Sequence, residues 1–434
     1  MKVQENIGKI SWSMADKLLY ILYGFVMLFQ IKALMPAEFG IYFQFNNLHI
    51  WIFIVSDSFA LQSIIQFGAV RENRPKVNLL AFFLHAGITL GAAALLFLFK
   101  DGIGDLINQP RFDEIALYLP LLALLFIPRT YCIKFIYREH KMHFLFFVNF
   151  AWLGTMTAVT VWMLLTKSLL SFEDMVFISY SGAFVSSVVA VILTFKHLEF
   201  SFKGDLNLKK VSSFGLPLML YNSMQSMPKL LDVYVLGYFF SSSAIGIYSS
   251  AKVLFRFFEE ALNGAHGLVY PAAVRKVTQE NFKELNDLMT KAVSFMLVSF
   301  GLVVIALELG LSDFIIRTFL SEKYVLAIDR FNLLALAGAV LPLSVLSSVI
   351  VAAGKPGAVL KIVLISIAAS GVVFVVSGLS GAESATPLGY MTYIFVSSLL
   401  YFVYVNRNFS FKKRDLFRAF GDSKHYLKKK KKKV

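Results

Sequence analysis

Most of the charged side chains inside the apolar stretches of this 434-residue chain, ten of them, are concentrated in four of those stretches, the others offering only Arg129, Lys134, Arg330 and Lys361, some of them near span ends. The first holds Asp16, Lys17 and Lys32, the second Asp57, the seventh Lys229 and Asp232, and the eighth Lys252, Arg256, Glu259 and Glu260. Helical spacing aligns them. Asn222, Gln225, Lys229 and Asp232 recur near one face of one helix, and Lys252, Arg256, Glu259 and Asn263 near one face of the next. Charge inside a membrane is costly, so such stripes face a bundle interior or a wet cavity. Lys and Arg there can hold an anionic group by charge-assisted hydrogen bonds. Carboxyls in a partly dry cavity can take up and release protons. The ten charges balance, five basic against five acidic. Pairs such as Lys229 with Asp232, or Arg256 with Glu259 and Glu260, therefore also fit a second role, neutralising each other and joining helices.

The elements that carry these residues are membrane spans. The chain is 57% hydrophobic and 16% charged, against about 25% charged in an average soluble protein. Its mean hydropathy is +0.68. A spanning helix needs about 20 mostly apolar residues, and twelve runs qualify. They cover approximately 10–35, 42–68, 77–99, 115–136, 144–166, 175–195, 213–240, 246–272, 291–310, 328–352, 358–378 and 388–405. The expected fold class is an all-α polytopic membrane protein of about twelve transmembrane helices. No cleavable signal peptide is visible, and the first apolar run is long enough to stay as an anchor. Phe282, Leu285 and Leu288 among charges predict a short helix lying on the membrane surface.

The chain is internally duplicated. Gly40-Ile41-Tyr42 is followed 29 residues later by Ala69-Val70-Arg71, and Gly246-Ile247-Tyr248 is followed 27 residues later by Ala273-Val274-Arg275. Leu121 to Leu124 with Pro128 is echoed by Leu333 to Leu336 with Pro342. Two six-helix repeats follow, at 1–205 and 206–406, with a basic tail at 407–434. Only five Lys and Arg, at Lys100, Arg111, Lys167, Arg317 and Lys323, fall on one side of the expected spans. The positive-inside rule then places both termini in the cytoplasm. Six spans per repeat return the chain to the same side, so the repeats run parallel. In this arrangement helices 1, 2, 7 and 8 are equivalent pairs and are expected to line a central cleft.

Other features point to simpler roles. Cys132, the single cysteine, sits in an apolar run as a packing residue and permits no intramolecular disulfide. His140 and His143 read as surface residues at a helix end. Pro228, in mid-span before Lys229, removes a backbone hydrogen bond and can kink or hinge its helix. Gly354-Lys355-Pro356-Gly357 is a tight turn, and no phosphate-cradling Gly-rich loop occurs, which argues against ATP-driven transport by this chain. The tail ends in Lys428 to Lys433 and is suited to anionic lipid, not to nucleic acid.

The chain resembles the polysaccharide biosynthesis, or Wzx-type, flippases of the multidrug/oligosaccharidyl-lipid/polysaccharide (MOP) exporter superfamily. The resemblance is carried by Leu34-Met35-Pro36-Ala37-Glu38-Phe39-Gly40-Ile41-Tyr42, by Pro217, Asp232 and Gly237, by Gly246-Ile247-Tyr248, Ala251 and Pro271, and by Ala353-Gly354-Lys355. It implies two six-helix bundles in a MATE/MOP-like fold, with a cleft that opens alternately to each side. It also implies an alternating-access flippase, not an enzyme. The cargo would be a lipid-linked oligosaccharide on undecaprenyl pyrophosphate, moved from the cytoplasmic to the outer leaflet of a bacterial cytoplasmic membrane for surface polysaccharide such as O-antigen. Lys17, Lys229, Lys252 and Arg256 would hold the pyrophosphate. Asp57, Asp232, Glu259 and Glu260 would couple transport to a proton or sodium gradient, with no cofactor. Other polysaccharide assembly proteins are possible partners. Two alternatives stay open: an ion-coupled multidrug or metabolite antiporter of the same superfamily, and a membrane-embedded glycan polymerase, for which the chain lacks a large external loop.

Overall fold

The structure is a computed structural model that describes residues 3–203 and 206–409. The Lys428–Lys433 tail, and with it the expected lipid contact, lies outside the described residues. Among the described residues the regular structure is helical, and no strand occurs. The main helices are α1 (Val3–Ala33), α2 (Pro36–Ser56, continuing through a π-helical turn Asp57–Leu61 to Gln62–Gln66), α3 (Arg74–Leu98), α4 (Phe112–Arg138), α5 (Met142–Leu165) and α6 (Phe172–Thr194). They continue with α7 (Leu208–Phe239), α8 (Ser242–Thr278), α9 (Phe282–Ala306), α10 (Ala327–Gly338, bent into Leu346–Ala352), α11 (Pro356–Leu379) and α12 (Pro387–Asn408).

Nine helical segments among the described residues are long and apolar enough to cross a membrane, and the bent α10 makes a tenth, with a 48° break. The two remaining runs of the sequence reading, α7 and α8, do form helices, of 32 and 37 residues. They are less apolar than the others because they carry the polar stripes. Phe282, Leu285 and Leu288 belong to the first turns of the long α9, with Leu285 fully buried, so the expected separate surface helix is not formed. A continuous helix satisfies the backbone groups that a break there would expose. Pro217 and Pro228 lie inside the uninterrupted α7.

The chain forms two compact units, Met1–Gly246 and Ile247–Val434. The sequence reading ends the first bundle at 205. The compact division falls later because α7 lies against α2. A Cβ on Gly215 would sit 1.9 Å from the Phe59 carbonyl oxygen, so only glycine allows this approach. Asn222 Nδ2 donates to Ser58 Oγ at 2.9 Å, and Tyr234 Oη donates to the Gln44 carbonyl at 3.2 Å. At the far end of α7, Asn108 Nδ2 donates to the Tyr238 carbonyl at 2.8 Å, and Gln109 Nε2 donates to the Gly237 carbonyl. The duplicated landmark meets itself in the same unit. A Cβ on Gly40 would lie 2.2 Å from Ser242 O and 2.9 Å from the Gly246 nitrogen.

The interior of the first unit is packed around Leu61, Ile64, Tyr131, Cys132, Phe135 and Val148. Cys132 is 1% exposed, as its apolar run implied. The entry to α2 and α4 is tied by charge. Arg111 bonds Glu38 at 2.6 Å and Glu114 at 2.6 Å, and Glu38 accepts the Phe172 amide at 2.9 Å. Hydrogen bonding to Glu114, and then to Glu38, outweighs the effect of burial and holds the Arg111 guanidinium above its ordinary pKa.

Candidate functional site

In the first unit Asp57, Lys134, Asp16 and Arg129 are bonded to partners. Asp57 opens the π turn of α2, a conformation often found at functional positions. Its Oδ1 is 2.6 Å from Lys134 Nζ of α4, and its Oδ2 accepts from Gln62 Nε2 at 2.8 Å. Lys134 is 9% exposed. His85 of α3 stands beside the pair and interacts electrostatically with both charges. Its Nε2 bonds Thr130 Oγ1 at 2.8 Å, while Thr89 donates to Ser56 at 3.1 Å. The Lys134 ammonium also lies 5.9 Å from the Tyr137 ring centre.

A second chain of polar groups crosses three helices. Asp16 of α1 accepts from Asn149 Nδ2 of α5 at 2.6 Å, and Asn149 Oδ1 accepts from Arg129 of α4 at 2.6 Å. The Arg129 guanidinium lies over two rings, 4.2 Å from the centre of Trp152 and 4.8 Å from that of Phe126. Asp16 and Arg129 are both 5% exposed. The spacing of the sequence offers no means of linking Asp16 to Arg129 or Asp57 to Lys134. All four are visible as charges within spans, but their pairing depends on how the helices are rotated against one another.

The residues of the α7 stripe divide. Asn222 is used on Ser58, and Gln225 bonds Tyr221 at 2.9 Å. Asp232 is fully buried and accepts its neighbour's amide, Val233 N, at 2.7 Å, while Lys229 is exposed. Lys17 of α1 is likewise exposed, 5.9 Å from the Tyr20 ring centre.

In the second unit the face of α8 also divides. Lys252 is 5% exposed and lies between rings, 4.9 Å from Tyr390 and 5.9 Å from Tyr248. Such a contact holds an ammonium through the ring quadrupole. The Tyr390 hydroxyl of α12 donates to Glu259, which is half-buried. Tyr390 also stacks on Tyr393 with an interplanar angle of 14°. Arg256, Glu260 and Asn263 are exposed, and Asn263 donates to Glu260 at 3.5 Å. One turn on, Gly264 and Gly267 have open space where a Cβ would project. Tyr390 is the residue of this group that the charge pattern could not reveal, because tyrosine is ordinary in an apolar span.

Among the described residues no three His, Cys, Asp or Glu side chains stand together as a metal site. The arrangement offers charge and hydrogen bonding. Lys17, Lys229, Arg256 and Glu260 are exposed, while Lys252, Glu259, Asp57 and Asp232 are wholly or partly enclosed.

Similarity to known proteins agrees with this geometry. Residues 32–329 match a family described as polysaccharide biosynthesis protein. No curated protein matches the sequence. Among solved structures, the inward-facing conformation of a multidrug resistance MATE family transporter of the MOP superfamily superposes with a TM-score of 0.75 at 13% identity, over 90% of this chain and 94% of that one. Lipid II flippase MurJ, in an inward closed conformation, gives 0.74 at 14% identity, over 94% and 90%. The Vibrio cholerae MATE transporter VcmN in the bent form gives 0.54 at 13% identity, over 94% and 99%. With the fold of these transporters and a match over more than half its length, the chain is a multi-pass membrane protein that belongs to the polysaccharide biosynthesis protein family.

Proposed function

We propose that this protein is a flippase that carries a lipid-linked oligosaccharide across the membrane by alternating access, holding its pyrophosphate on exposed cations. One observation supports this most. On α8, Arg256, Glu260 and Asn263 form an exposed polar face that continues into the open positions of Gly264 and Gly267. A guanidinium facing hydrocarbon is costly, so this face fits an aqueous cavity or a polar cargo. Arg256 suits a phosphate because its planar fork forms paired charge-assisted hydrogen bonds. Within the first unit, Lys17 and Lys229 are exposed cations of the same kind. Lys252, enclosed by Tyr248 and Tyr390, is better suited to holding α8 and α12 in place than to meeting the cargo directly. Membership of a polysaccharide biosynthesis family favours a glycan carrier over a drug exporter.

The proposed direction is from the cytoplasmic to the outer leaflet of the bacterial cytoplasmic membrane, with both termini inside. The test is the leaflet location of lipid-linked glycan in cells with and without the protein. Accumulation on the inner leaflet in its absence, with loss of surface polysaccharide, is the expected result. Normal outward movement together with altered sensitivity to cationic drugs would reject the proposal in favour of an antiporter. That second reading draws on Glu260, an acid exposed beside Arg256 that could serve a cationic cargo.

A further inference from the structure

We propose that the start of α9 is a docking surface for the chain's own segment 409–416, of which the residues from 410 on lie outside the described residues. A second internal repeat leads to it. Glu72-Asn73 and Asn78 recur 208 residues on as Glu280-Asn281 and Asn286. The helices α3 and α9 begin on the equivalent residues Arg74 and Phe282, each after its asparagine. Phe200-Ser201-Phe202-Lys203 recurs 209 residues on as Phe409-Ser410-Phe411-Lys412, and each motif is followed by Asp-Leu, at Asp205-Leu206 and Asp415-Leu416.

In the first unit the two repeated sequences meet. Residues 197–203, which follow α6, form a strap held against the start of α3. Asn78 Nδ2 donates to the Glu199 carbonyl at 3.0 Å and to the His197 carbonyl at 3.3 Å. The Ser201 amide donates to the Pro75 carbonyl at 3.2 Å, and the Lys76 ammonium donates to the Phe202 carbonyl. Leu206 is buried in a cluster with Val77 and Val211. The strap is bonded here through its backbone, which every sequence supplies, so different side chains can be held in the same way.

The second unit repeats the layout with the charges reversed. α9 packs on α10 and α10 on α12, as α3 packs on α4 and α4 on α6. α12 runs to Asn408, five positions further than α6 by the repeat, so the second strap begins at Phe409 itself. From 72 to 79 the start of α3 carries Glu72, Arg74 and Lys76, and its strap carries Glu199, Lys203 and Asp205. That is one net positive charge facing one net negative. From 280 to 287 the start of α9 carries Glu280, Lys283, Glu284 and Asp287, and 409–416 carries Lys412, Lys413, Arg414 and Asp415. That is two net negative charges facing two net positive. Both members of the pair have changed sign together, which preserves their attraction.

Exposure agrees. Arg74, Pro75 and Lys76 are half-buried and Asn78 is buried, whereas Phe282, Lys283, Glu284 and Asp287 are exposed, Phe282 to 51%. Glu284 already meets Lys276, and Asp287 meets Lys291 at 2.6 Å, in exposed pairs that leave carboxylate lone pairs for a second cation. An anionic lipid headgroup is the rival partner for Lys412, Lys413 and Arg414, but Glu280, Glu284 and Asp287 would repel it from this surface.

The full-length protein in nanodiscs provides the test. Cys132 is buried, so introduced cysteines are the reactive ones. Lys283→Cys with Ser410→Cys occupies the positions equivalent to Pro75 and Ser201. A short bismaleimide should join this pair about tenfold faster than Lys283→Cys with Ser423→Cys, because docking raises the local concentration of one thiol at the other. Adding Glu284→Lys and Asp287→Lys should remove that advantage. Adding Lys412→Glu and Lys413→Glu as well should restore it, which a misfolded surface could not do. Amide exchange in 283–288, with no cysteine introduced, should speed up roughly tenfold in Lys412→Glu with Lys413→Glu and Arg414→Glu, as the cover is lost. Equal rates for the Ser410 and Ser423 pairs, or indifference of both readouts to charge reversal, would overturn the proposal. So would cross-linking that vanishes in nanodiscs rich in anionic lipid, which would assign the three cations to lipid. No readout uses a translocated cargo, so the docking surface and the flippase reading are tested separately.

Discussion

The helices α2 and α8 begin alike and end differently. Both open on Gly-Ile-Tyr, and the two glycines pack backbone to backbone. Beyond that start, α2 breaks into a π turn and buries Asp57 against Lys134. α8 runs unbroken to Thr278 and leaves Arg256 and Glu260 exposed. The duplicated sequence thus preserves the packing that brings the helices together, while the charges further along have taken separate uses. A charge with a counter-ion inside the same unit, as Asp57 has in Lys134, joins one helix to the next. A charge left exposed on a long helix, as Arg256 and Glu260 are, is not used in the packing of its own unit.

Paired glycine substitutions should break this contrast most severely. Gly215→Leu forces a side chain against the Phe59 backbone and should cost upwards of about 3 kcal/mol, or abolish folding. Gly264→Leu, which projects into open space on α8, should leave a monodisperse, thermally normal protein. Size-exclusion profiles and melting temperatures in detergent distinguish the two outcomes. If both variants behaved alike, the difference between packed and open faces would not hold.

Next in size is the loss of a cation from each helix system. Lys134→Met strands Asp57 and should destabilise by about 3–5 kcal/mol, with a large part recovered by adding Asp57→Leu. Arg256→Met should change stability by no more than about 0.5 kcal/mol. For transport in reconstituted vesicles, Arg256→Ala should slow outward movement of lipid-linked glycan by about 10- to 100-fold, the worth of a charged hydrogen bond, with the melting temperature unchanged. Equal transport by Arg256→Ala and wild type would remove the exposed face of α8 from the proposed site.

Two smaller effects sharpen the comparison. Tyr390→Phe keeps the ring over Lys252 but deletes the hydroxyl that donates to Glu259, and should cost about 1.5–3 kcal/mol of stability. Glu139, just beyond the end of α4, supplies the pH signature. Burial alone would raise its carboxyl pKa, but the Arg138 hydrogen bond and the charge of Arg74 outweigh it and hold it below the ordinary value. A carboxyl with a lowered folded-state pKa stabilises the protein at pH values above its unfolded pKa. That contribution is lost as pH falls through the folded value. Solvent screening limits it to less than about 1 kcal/mol, and Glu139→Gln should flatten the acid limb of melting temperature against pH by that amount.

Much of the architecture could be read from residue order. The apolar runs become helices, the duplicated Gly-Ile-Tyr marks the starts of α2 and α8, and the polar stripes coincide with the two helices least suited to lipid. The candidate site was legible only in its ingredients. Arg256 and Glu260 are exposed as a ligand site needs, but Lys252, on the same face by helical spacing, is enclosed by Tyr248 and Tyr390. Spacing reports which residues share a side of a helix. It does not report what covers that side.

The sequence by itself determined that this is a helical membrane protein with an internal repeat and a small set of intramembrane charges, because hydropathy and periodicity are properties of neighbours along the chain. Tertiary structure alone decided that Asp57 meets Lys134, that Asp16 reaches Arg129 through Asn149, that α2 opens into a π turn, and that α7 is seated against it. The reason is geometric. Whether an ion pair forms depends on the separation and rotation of whole helices. A contact such as Gly215 on Phe59 depends on backbones meeting at a distance that no local pattern encodes.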